Sequence, residues 1–388
     1  MTAAANGGVE PFSVAVPDAV LNDLSERLER TRWPDQIPGT DWQYGTDLQY
    51  LRGLCDYWRD GYDWRKTEQR FNAWDQVTTE IDGQRIHVIH ARSPEPDAMP
   101  LLLMHGWPGS VAEFLEVIDP LRDPAAHGGD AADAFHVVCP SLPGYGFSGP
   151  TTERGWNARR IARAMATLMP RLGYERYCTQ GGDWGATVSN YLALHDPDHL
   201  IGIHLSMVAA GPPPGADGSE ILPEEQEWVA ATGAFFVQEA GYQQMQGTRP
   251  QTLAYGLHDS PAGLAGWLVE KFRAWSDCGG DLESSFTKDE LLTNLTVYWV
   301  TQTMNSSARR YYEAMHSGEF QPIEQHIDVP TGCAIFPKDT VRSPRAWAEH
   351  AWNVRQWTVM PRGGHFPALE EPDLLLADVR AFYRDLRR

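Results

Sequence analysis

The chain has 388 residues, of which 42% are hydrophobic, and its formal net charge is −20 at pH 7. This length allows two or three structural units, or one core with large insertions, and the apolar content is sufficient for a sizeable buried core. The strong negative charge argues against nucleic acid or an anionic membrane as the main partner.

The cysteines and the N-terminal residues indicate the compartment. The five cysteines are Cys55, Cys139, Cys178, Cys278 and Cys333. Their wide spacing, without a CxxC pair, favours reduced thiols in a cytoplasmic protein over a disulfide framework or a metal site. Residues 1–10 are small and polar and lack basic residues and an apolar run, so we expect a disordered segment and no signal peptide. No window reaches about 18 consecutive apolar residues, so we expect no membrane-spanning helix.

Two amphipathic helices are predicted in the N-terminal part of the chain. Apolar residues recur at helical spacing over residues 17–33, where Pro34 stops the pattern, and again over residues 47–60. Both segments precede the first convincing strand pattern. We therefore expect residues 1–75 to form a helical extension outside the sheet.

An alternation of strands and helices begins after this extension. Strands at residues 77–81 and 85–90 are joined by Asp82-Gly83, which is typical of a two-residue hairpin turn. Further strands are predicted at residues 101–104, 135–139, 177–179 and 200–206, and helices at 156–172 and 184–195. This pattern predicts an α/β fold with a mostly parallel sheet and helices on both faces.

The alternation stops at Ala210, where a run of glycines and prolines begins. Residues 211–325 are helical in character and rich in aromatic side chains. Strand patterns resume at residues 331–336 and 356–360, and an amphipathic helix is predicted at 373–386. We therefore predict one α/β core, formed by residues 76–210 and 326–388, which is interrupted by a helical cap at residues 211–325.

The motif QGGDWG at residues 180–185 has the pattern of a nucleophile elbow, in which small residues surround one reactive side chain between a strand and a helix. Asp183 stands where such turns usually carry serine. A carboxylate of ordinary pKa is already an anion at neutral pH, so it needs no base to attack. It suits displacement at strained rings or carbons with good leaving groups, and it forms an ester that water must then cleave.

Backbone groups next to strand ends are candidates for an oxyanion hole. HGWPGS at residues 105–110 follows a predicted strand, and it can aim the backbone N–H of Trp107 at a reacting oxygen. The backbone N–H of Trp184, directly after Asp183, would be the second donor.

One of the thirteen histidines, His365, follows the last predicted strand in the sequence GGHF. It stands out because the order nucleophile, acid, histidine is typical of this kind of site. Asp339 lies just past the preceding strand and is the candidate acid. Asp328 lies before that strand, at the wrong end, and is a weaker candidate.

Together these motifs resemble those of epoxide hydrolases of the microsomal type, which have the α/β-hydrolase fold. The resemblance covers nearly the whole chain and rests on Pro11-Phe12, Trp42-Gln43-Tyr44-Gly45, Tyr57-Trp58-Arg59, Asp63-Trp64, HGWPGS at 105–110, QGGDWG at 180–185 and RGGHFPALEEP at 362–372. It implies that Asp183 is the nucleophile, Asp339 the acid and His365 the base, without the membrane anchor of some relatives. Many members have glutamate as the acid, so an aspartate shortens the reach to His365.

The resemblance also implies two cap tyrosines that protonate the epoxide oxygen, since a phenol remains protonated at neutral pH. The surroundings of Tyr242 resemble the first tyrosine site. Residues 307–313 resemble the second, and their spacing selects Tyr311 over Tyr312. The implied activity converts a small hydrophobic epoxide to a vicinal diol, with no metal or organic cofactor. The oligomeric state stays open, a homodimer being one option.

Two other readings compete with this one. A haloalkane or haloacid dehalogenase of the same fold shares the aspartate nucleophile, but the paired tyrosines and the N-terminal extension favour the epoxide. A non-catalytic receptor on this fold should lack at least one member of the site, and none is missing from the sequence. Asp183 excludes an ordinary serine esterase. The particular epoxide, and a role in detoxification or in secondary metabolism such as enediyne antibiotic biosynthesis, stay open.

Overall fold

The computed structural model describes residues 8–321 and 323–387, and its centre is a nine-stranded sheet with the order β1-β2-β3-β5-β4-β6-β7-β8-β9. The strands are β1 Val9–Phe12, β2 Gln76–Ile81, β3 Gln84–Ala91, β4 Met99–Met104, β5 Phe135–Pro140, β6 Tyr177–Gly181, β7 Leu200–Leu205, β8 Ile327–Ile335 and β9 Trp352–Val359. Five neighbouring pairs, from β5 to β9 across the sheet, are parallel. The pairs β1–β2, β2–β3 and β3–β5 are antiparallel. The predicted α/β class with a mostly parallel sheet is confirmed.

Helices cover the sheet and fill the connections between its strands. They are α1 Asp18–Glu29, α2 Leu48–Asp60, α3 Trp64–Phe71, α4 Ile118–Arg122, α5 Ala158–Arg171, α6 Asp183–His195, α7 Pro223–Gln238, α8 Gly241–Thr248, α9 Pro250–Leu257, α10 Pro261–Trp275, α11 Lys288–Thr301, α12 Met304–Ser317, α13 Arg345–Ala351, α14 Pro367–Glu370 and α15 Pro372–Leu386. The six helices α7 to α12 lie between β7 and β8 in the chain, where the sequence predicted a helical insertion.

Two hydrophobic clusters occupy the two faces of the sheet, as the alternation of side chains along a strand requires. In β4, Leu102 and Met104 belong to the cluster that contains α5 and α6. Leu101 and Leu103 belong to the other cluster, which contains α4 and α15. Since both faces are covered, a central strand such as β4 has apolar residues on both of its faces, as is typical of parallel sheets.

The predicted hairpin of β2 and β3 is present, with Ile81 paired to Gln84. Its two central residues, Asp82 and Gly83, have φ values of 52° and 74°. This left-handed pair of conformations is the one that a two-residue turn of type I′ needs, and Asp-Gly adopts it readily.

The prediction of a purely helical N-terminal extension is wrong in one respect. Strand β1 lies within the segment expected to be disordered or outside the sheet, and it pairs antiparallel with β2. Residues 1–7 of that segment lie outside the described residues. The strand is short and mostly exposed, so it is held by backbone hydrogen bonds and has no apolar periodicity to reveal it.

Helix α3 also was not predicted. At the start of this helix, the Asp63 side chain accepts a hydrogen bond from the backbone N–H of Arg65.

Strands β8 and β9 each begin four residues earlier than predicted, at Ile327 and Trp352. Pro330 lies within β8 and conceals its start in the sequence. Asp328 therefore lies inside the strand, still near its amino end.

Within residues 8–321 and 323–387, no helix is long and apolar enough to cross a membrane.

Candidate active site

Asp183 lies at a sharp turn between β6 and α6, with φ at 45°. A non-glycine residue in this left-handed region is strained, as is typical of a nucleophile elbow. Close packing holds the turn in place, because a Cβ added to Gly185 would lie 2.1 Å from the carbonyl oxygen of Met104. The beginning of α6 thus rests directly on β4, and this contact requires glycine.

Two backbone N–H groups hold the Asp183 carboxylate. The N–H of Trp107, in the loop after β4, donates to Asp183 Oδ1 at 2.8 Å. The N–H of Trp184 lies at the anionic end of the same side chain and also acts to lower the pKa of Asp183. These are the two donors that the sequence predicted, and the structure brings both to the same side chain. Burial raises the pKa of Asp183, while nearby His365 and the two N–H groups oppose the rise and favour the anion.

His365 lies between two carboxylates. Its Nδ1 is 2.7 Å from Asp339 Oδ1, and its Nε2 is 3.7 Å from Asp183 Oδ2. Its backbone N–H donates to the carbonyl oxygen of Trp275 at 2.9 Å, which fixes the loop that carries it. Burial alone lowers the pKa of His365, but the charge of Asp339 and the hydrogen bond to it outweigh burial, with a contribution from Asp183, and raise the pKa to about 9.

Asp339 reaches the histidine despite its short side chain. The backbone N–H of Thr340 donates to the same Oδ1 at 2.7 Å and orients the carboxylate. The alternative acid, Asp328, is 98% exposed and lies 3.9 Å from His326. The structure therefore brings Asp339, and not Asp328, to His365.

Tyr242 and Tyr311 face the nucleophile from the helical segment. Tyr242 lies on α8 and stacks on the ring of Trp107 at 5.0 Å, while Tyr311 lies on α12 and meets the ring of Trp184 edge-on at 5.0 Å. The two tyrosine rings are 5.6 Å apart. Tyr312, the neighbouring residue on α12, is 38% exposed and points away from the site.

Both phenols are buried, which raises their pKa values well above the usual range and keeps them protonated at neutral pH. The hydroxyl of Tyr311 makes no hydrogen bond of normal length among the residues that the structure describes, and the hydroxyl of Tyr242 is its polar neighbour. A buried hydroxyl that is protonated and unpaired is available as a donor to a ligand oxygen.

A cavity of about 310 Å³ opens onto this group of residues. Asp183, Tyr242 and Tyr311 line it at one end, and Trp184, Val229, Met207, Phe235, Phe236 and Phe320 contribute apolar wall. The wall also has polar side chains, such as Thr187, Asn190 and Arg342, but it is mainly apolar. A cavity of this size and character suits a small, mainly hydrophobic molecule.

A second, much smaller cavity of about 20 Å³ lies beside the nucleophile. Asp183, His365, Gln180 and Glu113 contribute to its wall. Burial raises the pKa of Glu113 to about 8; nearby His365 opposes the rise and Asp183 adds to it. The sequence motifs did not single out Glu113. The only signal was a carboxylate within the short, otherwise apolar 3₁₀ turn Val111–Phe114.

The fold and the site together define an α/β-hydrolase in which a carboxylate occupies the nucleophile position. In the described part of the chain, no group of three or more His, Cys, Asp or Glu side chains is placed to hold a metal ion.

Comparison with known proteins gives the family. The model described as "Epoxide hydrolase N terminus" matches residues 9–114, and the model for the alpha/beta hydrolase fold matches residues 99–249. A relative from Stigmatella aurantiaca (strain DW4/3-1), whose name places it among epoxide hydrolases, is 47% identical over 381 residues, which are 98% of this chain and 86% of the relative. Epoxide hydrolase 1 of Sus scrofa is 36% identical over 98% of this chain and 89% of its own.

Solved structures agree with these matches. The juvenile hormone epoxide hydrolase of the silkworm Bombyx mori superposes with a TM-score of 0.90 at 30% identity, over 99% of this chain and 96% of that one. The Aspergillus niger epoxide hydrolase superposes with a TM-score of 0.88 at 32% identity, over 98% and 97%. The chain belongs to the epoxide hydrolase family, in its microsomal-type branch, as the sequence motifs predicted.

Proposed function

We propose that the chain hydrolyses a small hydrophobic epoxide to a vicinal diol through an ester of Asp183. The observation that supports this proposal most directly is that one mainly apolar cavity is lined by a carboxylate nucleophile and by two buried tyrosines. A strained ring needs a nucleophile on one side and an acid on its oxygen, and these residues supply both.

In the first step, the Asp183 carboxylate attacks one epoxide carbon and breaks its bond to the ring oxygen. The oxygen that leaves the carbon takes a proton from Tyr242 or Tyr311, which both donate hydrogen bonds to it. The product is a hydroxyalkyl ester of Asp183. The unpaired hydroxyl of Tyr311 supports this role, because a substrate oxygen would satisfy it.

In the second step, His365 Nε2 removes a proton from a water molecule, and the water oxygen attacks the carbonyl carbon of the ester. Negative charge then collects on an oxygen of Asp183, and the N–H groups of Trp107 and Trp184 stabilise it. The intermediate collapses and expels the diol oxygen, which takes the proton from His365. The second proton of the water, left on the acid form of Asp183, returns to the tyrosine that gave up its proton in the first step, and Asp183 is restored as a carboxylate with one oxygen from water. Asp339 orients the imidazole and stabilises its charge.

The proposal extends to the organisation of the chain. Residues 1–75 form the N-terminal extension, residues 76–210 and 326–388 the hydrolase core, and residues 211–325 the cap that carries both tyrosines. A cytoplasmic location is supported by the cysteines, since all five are buried free thiols, which a reducing compartment preserves.

The ester mechanism is tested by a single turnover in heavy-oxygen water, with enzyme in excess over styrene oxide. The heavy oxygen should enter the Asp183 carboxyl group and be absent from the first diol released, because in that turnover the second diol oxygen comes from the unlabelled carboxylate and not from water. Asp183→Asn, which is nearly isosteric but a poor nucleophile, should form no diol and keep the wild-type circular dichroism spectrum. Label found in the first diol would reject the ester in favour of direct attack by water.

The dehalogenase alternative is tested by comparing the epoxide with a haloalkane of matched carbon skeleton. A halide leaves without a proton, so a dehalogenase would not need the tyrosines. Wild-type protein should turn over the epoxide and leave the haloalkane largely intact. Faster turnover of the haloalkane would contradict the proposed activity.

A further inference from the structure

The small cavity beside the nucleophile is distinct from the larger one: both reach Asp183, but Tyr242 and Tyr311 line only the larger cavity. With about 20 Å³ of space, it is large enough for one water molecule. Its wall contains the two reacting groups of the hydrolytic step, Asp183 and His365.

Two further polar groups in this wall indicate that the cavity is hydrated. The side-chain oxygen Oε1 of Gln180 is buried and lacks a hydrogen-bond partner among the described residues. A buried acceptor of this kind usually has an ordered water as its partner. The second group is Glu113, whose carboxyl lies against the backbone of Gly109: a Cβ on Gly109 would be only 1.1 Å from Glu113 Oε1. Glycine at 109 leaves the space that this carboxyl occupies.

We propose that this cavity is the binding site of the hydrolytic water, and that Glu113 positions the water by accepting one of its hydrogens while His365 accepts the other. The inference rests on the proposed ester mechanism. In the hydrolytic step, the proton that is transferred goes to His365 Nε2, and the hydrogen held by Glu113 stays on the attacking oxygen. Two fixed hydrogens leave a lone pair of the water directed at the ester carbon.

The charges around the cavity couple this role to the first step. In the resting protein, the charge of Asp183 contributes to the raised pKa values of both Glu113 and His365. Alkylation turns Asp183 into a neutral ester and removes that contribution. The pKa of His365 then falls, so the imidazole becomes free to take one proton of the water, while the Glu113 carboxyl accepts the other hydrogen through a carboxyl oxygen.

The experiment separates the two half-reactions by rapid quenching and intact-protein mass spectrometry after styrene oxide is mixed with excess enzyme. Glu113→Leu, which removes both acceptor oxygens, should alkylate within about twofold of wild type and hydrolyse the ester on the order of a hundredfold more slowly. Glu113→Gln retains one acceptor oxygen and should lose less. The matched control is Glu116→Leu, since Glu116 is exposed and pairs with Arg70 at the surface; both half-reactions should be unchanged.

Hydrolysis at the wild-type rate in Glu113→Leu would overturn the proposal, and so would an equal loss in both half-reactions, which would indicate general damage to the site. His365→Gln, measured in parallel, distinguishes this failure from a failure of the proposed function. If His365→Gln accumulates the ester and Glu113→Leu does not, only the role of Glu113 is rejected. If neither protein becomes alkylated, the ester mechanism itself is rejected.

Discussion

His365 acts, in the proposed mechanism, only after the covalent bond has formed. His365→Gln should therefore react with the epoxide at nearly the wild-type rate and accumulate the ester, visible as the mass of one substrate added to the intact protein. Asp339→Asn should slow the same step less severely, because Asp339 orients the imidazole across 2.7 Å without contacting the substrate. A His365→Gln protein that binds substrate and stays unmodified would show that the histidine is needed before hydrolysis.

Tyr242 and Tyr311 should matter in the first step alone. Replacing either with phenylalanine removes one donor and keeps the ring that packs on Trp107 or Trp184. Loss of one such donor typically costs on the order of a hundredfold in rate, and the double variant should lose nearly all alkylation. The measurement is the single-turnover alkylation rate with an epoxide.

Tyr312→Phe is the control for the tyrosine variants, since its side chain lies at the surface of the same helix. It should alkylate at the wild-type rate. Unchanged alkylation in the Tyr242→Phe/Tyr311→Phe double variant would remove the acid from the mechanism and weaken the case for an epoxide.

Motif order predicted which residues meet at the nucleophile, but not every polar group around it. Asp183, Asp339 and His365 follow strands β6, β8 and β9 of the parallel part of the sheet, and the carboxyl ends of parallel strands lie at the same edge. The position of Glu113 depends on a turn after β4 and on the missing side chain of Gly109, and this three-dimensional fit has no periodic signal. A single carboxylate in an apolar stretch has many possible explanations in a sequence, and only the cavity singles this one out.

At the scale of elements, one buried ion pair joins the helix that carries Tyr311 to the core. Arg310 on α12 binds Glu319 at 2.9 Å, and both side chains are nearly fully buried. Glu319 also accepts the backbone N–H groups of Ala158 and Arg159 at the start of α5. The guanidinium of Arg310 lies 4.1 Å above the ring of Trp184. The pair thus fixes α12 relative to both α5 and the elbow.

Glu319→Gln should destabilise the protein, because it leaves the Arg310 charge buried and unpaired. The expected loss is about 3–5 kcal/mol of unfolding free energy, measured as a lower denaturation midpoint in urea. Glu324→Gln removes the same charge from an exposed position and should leave the midpoint unchanged. A midpoint for Glu319→Gln that matches this control would mean that the pair does not hold α12 in place.

Elements with strong periodicity were predicted well, and elements held by backbone pairing were not. Helix α5 has its apolar residues on the side that packs on the sheet, and α6 is apolar over most of its surface. The predicted bounds of both are within two residues of the observed ones. Strand β1 lies at the edge of the sheet and is largely exposed, so its residues need not be apolar. The starts of β8 and β9 extend beyond the fully buried stretch, where side chains no longer mark the strand.

At the scale of the whole molecule, buried histidines of two kinds should limit stability on both sides of neutrality. Burial lowers the pKa values of His87, His90 and His105 to about 3, 4 and 4. Unfolding raises these pKa values to an ordinary value of about 6.5. The three neutral histidines therefore make their full contribution to the free energy of unfolding above that pH, and this contribution is lost as the pH falls towards 4. His365 behaves oppositely, because its pKa is raised to about 9 in the folded protein. Its contribution to the free energy of unfolding is complete below about pH 6.5 and is lost as the pH rises through 9.

The expected result is a maximum in the unfolding temperature near neutral pH, measured by calorimetry between pH 4 and pH 10. His365→Gln should flatten the alkaline side between about pH 6.5 and pH 9 and leave the acidic side as it is. An alkaline slope that is identical in the variant and in wild type would show that His365 does not carry its extra proton in the folded state.

The contacts of Trp107 and Trp184 have a consequence for how such a protein can diverge. Each residue offers its main-chain N–H to Asp183 and its ring to a tyrosine. Substitution of either side chain changes the surface on which the tyrosine rests, while the amide is retained in whatever residue replaces it. Selection can therefore adjust the geometry of ring opening, and with it the preferred enantiomer, without discarding the groups that support ester cleavage. Ring opening can therefore change in evolution through the two side chains, while ester cleavage keeps the two backbone N–H groups on which it depends.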